Sequence, residues 1–170
     1  RENERALHPT VESSSESITL LYVGRLLKSK GIVDVINIFK KVSEYSDIFK
    51  LVIVGDRDEH NPDSIDQENL SYIKGSPLIS FVGFVHDLTD VYLASDVLLF
   101  PSKYREGVPR AIIESLSYGL TIITTNMPGC KECVTSNGFL MDNKNQKLVT
   151  SYLKNLNKKT LLANSVISRK

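Results

Sequence analysis

Nowhere in the 170-residue chain do apolar residues run to the roughly twenty that an α-helical membrane span requires, so the sequence holds no such span. Charge of one sign is also scarce. The formal balance is +1, which gives no general attraction to nucleic acid or to an anionic membrane and makes any basic site a local one. Only two cysteines occur, Cys130 and Cys133, and the three histidines, His8, His60 and His86, are scattered, so no four-ligand zinc pattern can be assembled. A thioredoxin-type redox pair would share the C-x-x-C spacing, but two reduced thiols in a cytosolic protein account for it better. Glycine fingerprints are missing too. No G-x-G-x-x-G follows the first apolar run and no G-x-x-x-x-G-K-[ST] occurs anywhere, so NAD-type and P-loop readings lack their phosphate-cradling backbone. The chain begins at Arg1, not Met, without a basic-then-apolar leader, which suggests a piece of something longer.

What is present is an alternation. Residues 1–17 are polar, rich in serine and glutamate, and read as an irregular segment; residues 18–170 read as one domain, large enough to bury a core with 41% hydrophobic residues. Short apolar runs at Ile18–Val23, Leu51–Val54, Ile79–Val82, Val97–Phe100 and Thr121–Thr124 predict strands, with Gly138–Met141 as a sixth. Between them, helical spacing predicts helices over Gly31–Ser43, Ile65–Lys74 with Gly75 as its stop, Leu88–Ala94 with Asp87 as its cap, and Pro109–Tyr118. Gln146–Leu156 and Leu161–Ile167 close the chain. Continuously apolar strands alternating with helices specify an α/β, doubly wound (Rossmann-like) parallel sheet with helices on both faces, and place ligands at the carboxyl ends of the strands.

The loop after the fourth strand concentrates the chemistry. Pro109 suits the first helical position, where a missing N–H costs nothing. The amides of Gly107, Val108, Arg110 and Ala111 then stand at the positive end of a helix dipole, an anion site. Glu106 and Glu114 flank it, and carboxylates repel phosphate but accept from hydroxyls, so the implied ligand carries both phosphate and sugar. Ala111, Ile112 and Ile113 leave Glu114 little polar surrounding, so it needs hydroxyl or amide partners. Exposed helix-surface and dipole-complementing roles for the two glutamates stay open at this point. Arg25 and Lys30 bracket the first strand-to-helix turn, where they can hold a diphosphate; taken alone they read equally well as solvated loop charges. Asp56-Arg-Asp58 can hold a divalent cation, although two carboxylates make a weak dedicated site.

In this order the residues resemble a known family. Glu106-Gly-Val-Pro-Arg-Ala-Ile-Ile-Glu114 is similar to the E-x7-E signature of the family 4 (group 1) glycosyltransferases. Val23-Gly-Arg25 with Lys30-Gly31, Phe81-Val-Gly83, Ala94 to Ser102, Pro128-Gly-Cys-Lys-Glu132 and Asn137-Gly138-Phe139 follow the same pattern, over about residues 18–156. The resemblance implies the C-terminal, donor-binding half of a GT-B enzyme that transfers a sugar with retention of configuration and without a bound metal or cofactor. The donor is a UDP-, GDP- or ADP-sugar. Arg25 and Lys30 would hold its diphosphate beside Gly24, Glu106 would contact the sugar, and Glu114 would take the ribose hydroxyls. The backbone at Val85 would meet the base, and the Gly107, Val108, Pro109, Arg110 and Ala111 segment the phosphate or sugar. A glycan or lipid-linked acceptor would belong to an N-terminal domain absent from this chain. The intact enzyme would work in the cytoplasm, at or near the inner face of the membrane, in cell-surface polysaccharide synthesis. A non-catalytic nucleotide-sugar-binding module and a GT-B-type UDP-sugar epimerase are the alternatives that the fold alone leaves open.

Overall fold

The apolar runs form six parallel strands in the order β3-β2-β1-β4-β5-β6 in a computed structural model, which describes residues 17–105, 107–142 and 146–169. They are β1 (Ile18–Val23), β2 (Phe49–Val54), β3 (Ile79–Gly83), β4 (Val97–Phe100), β5 (Thr121–Thr125) and β6 (Gly138–Met141). β1 pairs with β2 on one side, Leu20 opposite Leu51, and with β4 on the other, Leu20 opposite Val97. The chain winds outward from β1 in one direction and from β4 in the other. The order therefore reverses between β1 and β4, where the two crossovers diverge and leave a crevice at the carboxyl end.

Alternation along each strand divides the core into two layers. Leu20, Tyr22, Leu51, Ile53, Leu99 and Ile123 face α1 (Ile32–Ser43), α2 (Gln67–Gly75) and α5 (Gln146–Lys154). Leu21, Val52, Leu98, Phe100 and Ile122 face the other way, onto Tyr92 of α3 (Thr89–Leu93) and Ile112 of α4 (Arg110–Ser117). Burying each such side chain removes surface worth about 1.5–3 kcal/mol from water. The last helix, α6 (Lys158–Ser168), is fixed at the opposite end from the crevice: Asn164 Nδ2 donates to Thr121 Oγ1 and Ser168 Oγ to the Leu120 carbonyl, at 3.0 and 2.8 Å.

Several helix ends differ from the sequence expectation, and at three of them the residue expected to start, cap or stop the helix has another place. Pro109 is not the first helical residue. Its ψ of 130° is extended, and its carbonyl accepts from Ile112 and Ile113, so it occupies the capping position and the helix starts at Arg110. Asp87 does accept from the Thr89 N–H, at 2.9 Å, but α3 begins at Thr89 with Leu88 between them. Gly75 is the last residue of α2, not its stop; Ser76 ends the helix by turning extended, and Asp66 caps its start by accepting from Asn69.

One close approach governs the crevice. Gly31, at φ +83°, lies so near Pro101 that any β-carbon there would overlap the Pro101 carbonyl. The loop after β1 and the loop after β4 therefore touch backbone to backbone.

Candidate functional site

The crevice is a cleft of about 840 Å³ lined by the end of β1 (Val23, Gly24), the loop cations Arg25 and Lys30, the loop after β3, and the start of α4. Of the residues singled out in the sequence, Gly24, Arg25, Lys30, Val85, Pro109, Arg110, Ala111 and Glu114 line this one space. Gly107 and Val108 are exposed and do not line it, and Glu106 lies outside the described residues.

Each cation is placed differently. Arg25 is exposed, and among the described residues its guanidinium has no protein partner. Lys30 is half-buried, its Nζ 5.5 Å from the centre of the Tyr104 ring. The segment carrying them is stitched to the loop after β2. Leu26 N–H donates to the Asp56 carbonyl and Ile65 N–H to the Leu26 carbonyl, while Lys28 N–H donates to the Asp63 carbonyl. The Asp63 carboxylate accepts from both the N–H and the hydroxyl of Ser29, and the hydroxyl contact, first among the causes, holds that carboxyl below its usual range.

On the opposite wall no acceptor among the described residues meets the N–H of Arg110 or Ala111, so the positive end of α4 opens toward the cleft. Glu114, one turn in, has found its partners within the protein: Tyr92 Oη donates to its Oε2 at 2.9 Å, and Arg110 Nε to its Oε1 at 2.6 Å. Tyr92 is the residue that sequence reasoning missed. It is buried, its ring is stacked on Tyr118 with centroids 5.2 Å apart, and burial followed by the adjacent carboxylate pushes its phenol far above the usual range, so it stays a donor. The only signal for it was an aromatic on a short helix that must pack near Glu114.

Neither Asp56-Arg-Asp58 nor the Cys130 and Cys133 pair lines the cleft. Asp56 uses Oδ1 to accept from the Phe84 N–H at 3.1 Å, tying the loop after β2 to the loop after β3. Among the described residues no group of three or more His, Cys, Asp or Glu side chains is placed to share a metal ion. Cys130 and Cys133 are free thiols, and burial raises Cys133, the opposite of an activated thiolate. Among the described residues no helix is long and apolar enough to cross a membrane.

A doubly wound sheet with cations, helix amides and a carboxylate at its switch point defines a Rossmann-like ligand-binding domain, of the kind that makes one half of a GT-B enzyme. Residues 3–169 match the family model described as "Glycosyl transferases group 1", and the chain belongs to that family. It is 28% identical over 144 residues to the capsular polysaccharide biosynthesis glycosyltransferase CapM of Staphylococcus aureus, covering 84% of this chain and 37% of that protein. The chain thus spans little more than a third of that relative's length. Among solved structures, the C-terminal domain of the group 1 glycosyl transferase LpcC from Francisella tularensis aligns with a TM-score of 0.76 and 20% identity, over 89% of this chain and 82% of that one. Anabaena HepE in complex with UDP-glucose aligns with a TM-score of 0.75 and 18% identity, over 91% of this chain and 43% of that one.

Proposed function

We propose that the cleft binds a nucleoside-diphosphate sugar and that the full-length enzyme transfers the sugar, with retention of configuration, to a glycan or lipid-linked acceptor in cell-surface polysaccharide synthesis. The observation that carries this is convergence: Arg25 and Lys30 from the first crossover and the amide end of α4 from the fourth line one cleft that also contains the Glu114 carboxylate. A diphosphate between them meets positive charge on two sides, and Glu114 is left for hydroxyls. The match to a capsular polysaccharide glycosyltransferase and the fold shared with a protein solved with UDP-glucose support the same reading.

In transfer, the bond between the sugar's anomeric carbon and the terminal phosphate oxygen breaks, and negative charge grows on the departing diphosphate. Arg25, Lys30 and the amides of Arg110 and Ala111 stabilise that charge where it forms, so the balance requires no metal ion. Glu106 contacts the sugar and the backbone at Val85 the base, as the family resemblance implies. The acceptor is bound by the part of the enzyme outside this chain, which works in the cytoplasm at the inner membrane face.

A thermal-shift series with UDP-, GDP- and ADP-sugars tests the reading. A cognate ligand at a hundred times its dissociation constant stabilises the chain by about 2.7 kcal/mol. If none of the three classes raises the melting temperature, the cleft is not a nucleotide-sugar site.

A further inference from the structure

The two oxygens of Glu114 are held by unlike partners. Oε2 accepts from Tyr92, a residue only 2% exposed. Oε1 accepts from Arg110, whose side chain is 91% exposed. A solvated ion pair of that kind adds little and exchanges readily for another partner. The Tyr92 contact is different in kind. Its ring is clamped on Tyr118, and Tyr118 Oη in turn donates to Thr89 Oγ1 at 3.3 Å, so the phenol is fixed by α3 and by the end of α4 together.

We infer that Tyr92 is a positioning residue: it fixes the Glu114 carboxylate so that one oxygen is always turned to the cleft, where the ribose diol of the nucleotide displaces Arg110. The inference rests on the nucleotide-sugar reading above. Its physical basis is preorganisation. A glutamate side chain loses rotamer freedom when a ligand immobilises it, and the Tyr92 hydrogen bond has removed that freedom before the ligand arrives. Burial first, and the neighbouring carboxylate after it, hold the phenol's pKa above its usual range, which favours its role as a donor. Arg110 keeps the outward oxygen partnered until then, and once displaced it is free beside the phosphates.

Calorimetry separates this role from general packing. The tightest binder among UDP, GDP and ADP is compared with its 2′,3′-dideoxy analogue on the wild-type chain, Tyr92→Phe, Glu114→Ala and the double variant. Tyr92→Phe keeps the stacked ring and removes one oxygen. It weakens the ribonucleotide by about tenfold, the scale of one hydrogen bond to a charged group, and leaves the dideoxy analogue unaffected; in the Glu114→Ala background it adds nothing. Equal weakening of both nucleotides, no weakening of either, or full additivity with Glu114→Ala overturns the inference while leaving the cleft a nucleotide site. Failure of the wild-type chain to bind any of the three nucleotides overturns the parent reading, and this one with it.

Discussion

The first and fourth crossovers both deliver a loop to the head of the sheet, yet they are secured in different ways. The first is sewn down along its length, through Leu26, Lys28, Ser29 and Ile65, onto the loop after β2. The fourth is secured at its root. There Thr125 Oγ1 donates to the Ser102 carbonyl at 2.5 Å, Lys103 N–H donates to the Ser29 carbonyl, and Lys103 Nζ lies 2.8 Å from the buried Asp34 carboxylate. Beyond Tyr104, among the described residues, Arg105, Gly107 and Val108 make no hydrogen bond before the chain enters α4. On the function proposed above the contrast matters for the first loop, because charges that stabilise a leaving group work best when already in place.

Breaking the rigid side has the largest effect. Arg25→Ala or Lys30→Ala in the full-length enzyme lowers turnover on the order of a hundredfold, the scale of one preorganised charge donor; unchanged steady-state rates in both variants remove the mechanism. Glu114→Ala comes next, weakening nucleotide affinity by about tenfold or somewhat more in calorimetry, and identical affinities for mutant and wild type remove its hydroxyl-binding role. Asp63→Ala then asks whether anchoring itself matters. It touches no ligand, but freeing Ser29 loosens the cation loop, and kcat/KM falls by roughly tenfold, as small displacements of positioning groups do. Lys103→Met gives the mildest outcome. It strips the Asp34 carboxylate of its ion pair and costs about 1–2 kcal/mol in urea unfolding, less than a fully buried pair because Lys103 is half exposed. If Lys103→Met harms donor binding as much as Asp63→Ala does, the two loops are not secured for different purposes.

The strands were legible in the sequence because burial on both faces writes itself as unbroken apolar runs, and all six appear within a few residues of the expected positions. The cleft-lining segments were legible for the same reason: the ends of such strands are where ligands sit in this topology. Tyr92 was not, since a hydrogen bond to a carboxylate 22 residues away leaves no periodic trace. Nor was Asp63, which reaches Ser29 across 34 residues. Pro109 was placed one step too far into its helix because proline suits both positions, and only ψ separates them. Long-range polar contacts have no local grammar, and in this chain they hold the loops around the cleft.

The contact between Gly31 and Pro101 sets the gauge of the cleft. Because main chain rests on main chain there, the spacing between the loop with the cations and the loop leading to α4 does not vary with side-chain rotamers or with what lines the rim. Substitutions at the lining residues Phe84 or His86 can therefore reshape the cleft wall while that spacing stays constant, and a methyl group at position 31 would alter the spacing itself.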